Sequence, residues 1–240
     1  MHSRTLIVAL PVALLCASFA SAEDNPNKLS LGLSYLATSG NSSSQTTGID
    51  GLYKHDFSPW GLEVKADYLR AESNGTLTAK KLFAGVRGTW ALDADFALFL
   101  AASYLQDTFA GLDPRLLAAG GVTYKFLKGP EHELAFDGGL TWTKDDLVGD
   151  GSTSYVGALA AARYAWNINK TAKLTEDLAF YPSFKQGSNW RIESQTGLQA
   201  AVSTAVALKL SYGFRYANLP VAGFGKTDTQ TAVSLVINFL

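Results

Sequence analysis

The chain has 240 residues, which suits one domain, and its 20 basic and 21 acidic side chains leave a net charge of −1 at pH 7. A balance this close to neutral argues against a nucleic-acid partner. With 22 Gly against 7 Pro, and 10 Tyr and 13 Phe against 1 Met, the composition is that of an exported all-β chain.

The N-terminus reads as a leader. His2 and Arg4 form a charged start, Leu6 to Leu15 an apolar run, and Ala20-Ser21-Ala22 a small-x-small cleavage site. Cleavage after Ala22 is expected, dividing the chain into a signal peptide over 1–22 and a single barrel domain over 23–240. The apolar run is too short to span a bilayer, and no later stretch approaches the roughly 18 apolar residues of a transmembrane helix. Cys16 is the single cysteine and lies within the leader. Its removal leaves no thiol for disulfides or catalysis.

From there the chain reads as strands. Strand one, about Lys28 to Thr38, puts Leu29, Leu31, Leu33 and Tyr35 on one face, and Ser39-Gly40-Asn41 is a turn signal. Strand two runs from about Ser43 to Lys54, with Ile49 and Tyr53 opposed to Asp50 and Lys54. Phe57-Ser58-Pro59 breaks the pattern. Strand three, Trp60 to Arg70, alternates most clearly: Trp60, Leu62, Val64, Ala66 and Tyr68 against Glu63, Lys65 and Asp67. Ser73-Asn74-Gly75 turns the chain into strand four, about Ala79 to Leu92, where Leu82, Val86 and Trp90 oppose Lys81 and Arg87.

After Asp93-Ala94-Asp95, strand five (about Phe96 to Gln106) is apolar on both faces; its neighbours decide for strand over helix. A Gly111-Leu112-Asp113-Pro114 loop precedes strand six, about Arg115 to Phe126. Strand seven, about His132 to Lys144, sets Leu134, Phe136, Leu140 and Trp142 against Glu133 and Asp137. Asp145 to Ser152 reads as a loop. Strand eight (about Thr153 to Trp166) has an Ala-rich centre but opens with β-formers. Strands nine, ten and eleven are placed at about Ala172 to Tyr181, Arg191 to Val202 and Ala205 to Ala217. The last strand, Thr227 to Leu240, is long and two-faced, with a penultimate aromatic. An even count of twelve lets a sheet close on itself with both termini on the periplasmic side.

Alternation alone does not say which face looks inward. The charged face carries Asp50, Lys54, Glu63, Lys65, Asp67, Lys81, Arg87, Lys125, Glu133, Asp137, Arg163, Lys173, Asp177, Arg191, Glu193, Lys209 and Arg215. On the apolar face, aromatics fall at strand ends in two groups: Tyr53, Trp60, Trp90, Phe96, Phe126, Trp166 and Phe239, and Tyr35, Tyr68, Tyr104, Trp142, Phe180, Tyr212 and Tyr216. Two aromatic belts around an aliphatic band match a bilayer with two interfaces. The interface anchors are thus Trp60, Tyr68, Trp90, Tyr104, Trp142, Trp166, Tyr212 and Phe239. Periplasmic connections are expected to be short and most outer ones longer. The opposite register would place charges in lipid at about 2–4 kcal/mol each near the midplane. Glu176 is the exception, sharing parity with Leu174 and Leu178. A bulge, an interfacial position or a functional role would each account for it, and the bulge is the favoured reading.

The expected fold is therefore a closed antiparallel transmembrane β-barrel of about twelve strands. Lys65, Asp67, Lys81, Arg87, Asp137, Arg163, Asp177, Arg191, Glu193, Lys209 and Arg215 are its candidate lumen lining.

Several segments in order, none sharp alone, carry a resemblance. They are Ser39-Gly40-Asn41-Ser42, then Arg191-x-Glu193-x-Gln195-Thr196-Gly197-Leu198, then Arg215-Tyr216 with Pro220, and last Asp228-Thr229 and Asn238-Phe239. Over nearly all the mature chain the sequence resembles the YdiY-like, salt-induced outer-membrane protein family. The resemblance implies a Gram-negative outer-membrane barrel of unknown function, and a salt response rests on the family name alone. Leu240 after Phe239 departs from the family habit of stopping at the aromatic.

Catalytic and metal chemistry find little purchase. His2 leaves with the leader, and His55 and His132 fall at periplasmic turns away from any strand serine, which disfavours a Ser-His-acid site. His/Cys metal sets are missing. Asp145, Asp146 and Asp150 around a Gly-rich loop could hold calcium, but a solvated loop is the better reading. Pairs such as Glu63 and Asp67 read as cross-strand bracing. No catalytic residue, metal or cofactor is expected. A narrow pore for small solutes or ions, with slight anion preference, is the leading function, and a plugged interaction barrel acting through loops near Phe109 and Phe224 is the alternative. The expected partners are outer-membrane lipid and lipopolysaccharide, and the barrel assembly machinery acting on the C-terminal strand.

Overall fold

The computed structural model describes residues 27–38, 43–149 and 151–239. The leader with Cys16, the Ser39-Gly40-Asn41 turn, Asp150 and Leu240 lie outside the described residues. The strands are β1 (Asn27–Thr38), β2 (Ser44–Phe57), β3 (Trp60–Ser73), β4 (Thr76–Ala91), β5 (Phe96–Asp107), β6 (Leu112–Lys128), β7 (His132–Leu147), β8 (Ser152–Asn167), β9 (Ala172–Pro182), β10 (Trp190–Ala201), β11 (Val206–Ala217) and β12 (Thr227–Phe239). One turn of 3-10 helix, Thr108–Ala110, joins β5 to β6.

Each strand pairs antiparallel with the next, and the sheet closes into a barrel where β1 meets β12, from Leu29 opposite Phe239 to Leu33 opposite Leu235. Closure over that stretch leaves no free sheet edge, the requirement for strands crossing lipid. The sequence pattern explains the two walls. In β5 every residue from Phe96 to Ala102 is apolar, yet Ala97 and Phe99 are buried while Leu98 and Leu100 are exposed. A strand between two strands must send alternate side chains to opposite faces. That geometry settles β5 and the Ala-rich β8, where a helix period was the competing reading.

The core sits inside the barrel and to one side. Phe99 of β5, Ala119 of β6 and Leu159 of β8 form it, with Leu117, Ala161, Ala179 and Tyr181 packed against them. Gly121 and Gly139 let β6 and β7 approach closely here. A Cβ on Gly121 would lie 2.1 Å from the Gly138 carbonyl oxygen, and one on Gly139 2.4 Å from that of Gly120.

Three expectations are corrected. Strands run past their predicted outer ends: β4 begins at Thr76 and β6 at Leu112, so the Gly-Leu-Asp-Pro segment is largely strand, and Asp145 belongs to β7. Outer connections are consequently mixed in length. Those at 74–75 and 108–111 are as short as the turns at 58–59 and 92–95 on the opposite rim, and among the described residues only those at 183–189 and 218–226 are clearly long. Thirdly, β9 has no bulge. Its register runs unbroken from Ala172 to Pro182 against β10 and from Lys173 to Phe180 against β8. The register shifts fall instead at Ala71/Glu72, Leu105/Asp107, Leu112/Arg115 and Lys125/Leu127. Glu176 therefore points outward with Leu174 and Leu178.

Candidate functional site

Register places Lys65, Asp67, Lys81, Arg87, Asp137, Arg163, Asp177, Arg191, Glu193, Lys209 and Arg215 on the face that carries the interior core. They do not form one site. Most fall into two networks, one above the other.

The lower network centres on Asp137 of β7. Its Oδ1 accepts hydrogen bonds from Thr123 Oγ1 at 2.6 Å, Arg87 Nη2 at 3.0 Å and Arg163 Nη2 at 3.1 Å. The Arg87 guanidinium lies over the Phe99 ring at 4.1 Å, so β4 reaches β6 and β7 across β5. Alternating sign lets two cations share one buried carboxylate, whose side chain is only 3% exposed. Lys54 pairs with Glu63 at 2.8 Å, and Lys65 approaches Asp67 at 3.7 Å on the other side of the lumen. Asp177 stands opposite Arg163 in the register.

The upper network crosses the barrel. Arg115 grips both oxygens of Asp145, at 2.6 and 2.8 Å. Tyr155 donates to Asp145, and Arg191 Nη1 donates to the Tyr155 hydroxyl while its guanidinium stacks on Tyr181 at 4.0 Å. Arg191 also holds Glu193, which approaches Arg215. Arg215 Nη1 then reaches Asp107 Oδ2 at 3.3 Å. Since β11 and β5 stand six strands apart in a ring of twelve, this contact spans the lumen. Lys81 lies beside the same end, opposite Asp107, and Lys209 stands opposite Gln199 and Ser234.

Above it, the connection at 218–226 leans over the mouth. Val221 and Phe224 come so close to Gly111 that a Cβ there would meet both at 2.8 Å. Gly111 has φ of 78°, which glycine adopts without strain. Its carbonyl also accepts the Val148 N–H at 3.0 Å.

Asp107, Arg115, Asp145, Tyr155 and Thr123 were missed as site residues. Arg115 and Asp145 sat at a presumed strand edge and loop, and nothing in local alternation marks a partner on the far wall. Phe224 was noted as a loop aromatic, without its contact at Gly111.

The two walls differ in wetness. Lys54 and Lys65 side chains are each 45% exposed, although both point inward. Across from them, Phe99, Ala119 and Leu159 fill the interior.

Outside, Trp60, Tyr68, Trp90, Tyr104, Trp142, Trp166, Tyr212 and Phe239 all share the outward parity. Trp60 and Trp90 stack at 5.2 Å, and His132 stacks on Tyr164 and Trp166. His132 Nδ1 is 2.8 Å from the Tyr164 hydroxyl, and His55 Nδ1 is 2.6 Å from Asn27 Oδ1. Both imidazoles thus sit in aromatic surroundings at the rim where β1 begins and β12 ends. Asp145 and Asp146 do not converge on a cation: one faces in to Arg115, the other out to Lys144.

A family model described as "Protein of unknown function, DUF481" matches residues 31–239. The chain belongs to the DUF481 family. A relative in Escherichia coli K12, the uncharacterized protein YdiY, is 29% identical over 221 residues, covering 90% of this DUF481 chain and 84% of its own length. Among solved structures, an outer membrane channel from Pseudomonas putida F1 superposes with a TM-score of 0.52 at 13% identity, over 91% of this chain and 97% of that one. At that identity the likeness speaks for fold alone: this DUF481 chain is folded as outer-membrane barrels are.

Proposed function

We propose that the chain is a narrow passive channel of the Gram-negative outer membrane, exported by a leader removed after Ala22. The observation that carries this reading is the wet inner wall. Inward-pointing lysines on β2 and β3 keep nearly half their surface exposed while the opposite wall is packed. A side chain inside a closed barrel meets solvent only through the lumen. The proposed path lies beside β2 and β3, past Lys54 and Lys65, with Arg163 of β8 at its margin. Lys54, Lys65 and Arg163 (45%, 45% and 37% exposed) stand there with the exposed Asp177, and slight anion preference for small solutes is the proposed selectivity. Outer-membrane lipid and lipopolysaccharide would then contact the aromatic belts, and β12 would present its end to the assembly machinery.

The contact of Val221 and Phe224 with Gly111, above the Arg215–Asp107 bridge, favours a second reading, a barrel closed at its mouth that acts through its loops. Planar-bilayer recording separates the two. A channel gives discrete conductance steps, and Lys54→Glu with Lys65→Glu shifts its reversal potential toward cations. Silence from correctly folded protein leaves the closed barrel.

A further inference from the structure

The seam of the ring is paired over only part of its length. β1 pairs with β2 along twelve residues, Asn27 to Thr38, and β12 pairs with β11 along eleven, Thr227 to Ile237. Between β1 and β12 the ladder has five pairs and stops at Leu33 opposite Leu235. Beyond it, at the rim where β1 ends and β12 begins, Ser34 to Ala37 and Thr227 to Ser234 present unpaired strand edges to each other. Exposure agrees with this. Tyr35 and Leu36 are consecutive, so one points out and the other in, yet they are 66% and 65% exposed. Leu105 and Leu159, inward leucines of the intact wall, are buried.

A similar shortfall beside β8 is covered. β9 stops short of the rim that β8 reaches, and the 183–189 connection lies along the difference. Phe184 N–H donates to the Val156 carbonyl at 3.0 Å and Lys185 Nζ to that of Ser154 at 3.1 Å. Among the described residues nothing plays that part between β1 and β12. Bare peptide groups are not tolerated in hydrocarbon, so the gap must hold something that forms hydrogen bonds. Its lining is also partly apolar. Outward on β12 stand Thr227, Thr229 and Thr231, hydroxyls on the membrane face, followed by Val233, which is 55% exposed. Across the gap are Tyr35 outside and Leu36 inside, with Leu69 of β3 further along the inner wall, opposite Gly48 of β2. A molecule seated here meets hydrogen-bonding edges together with apolar side chains on both faces of the wall. That is the chemistry of an amphiphile. The axial entrance at the same end is narrowed by the Arg215–Asp107 bridge and by Val221 and Phe224 on Gly111, which leaves the wall as the other way in.

We propose that the gap between β1 and β12 is a lateral entrance through which an amphiphile of the surrounding leaflet passes between membrane and lumen. Its hydrocarbon chain lies on Tyr35, Leu36 and Val233, and its polar head bonds to the free strand edges. This holds whether or not ions cross the lumen.

The test is fluorescence quenching in lipid vesicles. A bimane label is attached at Leu36→Cys, at Lys54→Cys on the wet inner wall, or at Leu140→Cys on the outer face of β7, each in the chain carrying Cys16→Ser. Stearate with a nitroxide on its chain should quench the label at Leu36→Cys at about tenfold lower membrane content than at Leu140→Cys, and leave that at Lys54→Cys bright. Excess unlabelled stearate should restore the emission at Leu36→Cys. Separately, oxidation should join Leu31→Cys to Ile237→Cys, a paired site, but not Ala37→Cys to Thr231→Cys, which would face each other if the ladder continued. Three outcomes each overturn the proposal: a label at Leu36→Cys as bright as that at Lys54→Cys, one quenched only in step with Leu140→Cys, or equal disulfide formation at the two sites.

Discussion

Single residues here act through the backbone as much as through each other. Asp93, in the turn between β4 and β5, accepts the N–H groups of Asp95 and Phe96 at 2.7 Å each. Those bonds, Phe96 foremost, hold its carboxyl below the ordinary aspartate range. The folded form thus prefers the ionised group. Its stabilising effect is complete above the unfolded value of about 3.9 and fades as pH falls through the lower folded value. Asp93→Ala should therefore unfold more readily than wild type at neutral pH, by denaturant titration in lipid, and the gap should close in acid. Asp93→Asn should keep part of the turn and lose the pH dependence. Glu176 illustrates the limit of legibility at this scale. Parity puts it with Leu174 and Leu178, but a bulge was the favoured reading, and neither the unbroken register of β9 nor the hydroxyl partners on β10 can be read locally.

At the scale of elements, most of the fold was readable because alternation and turn residues coincide. Trp60 to Arg70 declares both faces, and Asn74-Gly75 declares the hairpin that follows. What was not readable is what happens where the rule is satisfied trivially. In β5 both faces are apolar, so nothing local says that Phe99 enters the core while Leu100 faces out. Nor does spacing reveal that Arg87 reaches over Phe99 to Asp137 on β7. That contact ties four strands, since Thr123 on β6 and Arg163 on β8 share the same carboxylate oxygen. Asp137→Ala would leave the Arg87 guanidinium, 15% exposed, against a packed wall without its anion, and Arg163 beside it without its partner. Removing one partner from a buried ion pair costs roughly 3–5 kcal/mol. Urea unfolding in lipid vesicles should show a loss of that order. Asp67→Ala, on the wet wall, should cost about 1 kcal/mol or less, because its pair with Lys65 is loose and hydrated.

For the whole molecule, the question is what a ring of twelve strands encloses. Strand number was legible, while strand length was not at the outer ends, where strands run on through turn-like residues such as Asp113-Pro114. The interior was not legible either, because contacts between opposite walls join residues far apart in sequence. Arg215 and Asp107 stand 108 positions apart. Together with Val221 and Phe224 over Gly111, they narrow the outer mouth, while the inner wall of β2 and β3 stays wet. A channel with this shape has its resistance at the top. Gly111→Val should push the 218–226 connection aside, since its side chain would occupy the space now held by Phe224 and Val221. Because φ at this position is positive, the variant should also lose roughly 1–2 kcal/mol of stability. Conductance should nonetheless rise in folded protein. Arg215→Ala should raise it further by removing the bridge across the lumen, and the two changes combined should exceed either alone. If the combined variant inserts, resists heat as a folded barrel and still passes no current, the obstruction lies deeper, at the Phe99 and Leu159 side, and the closed-barrel reading replaces the channel.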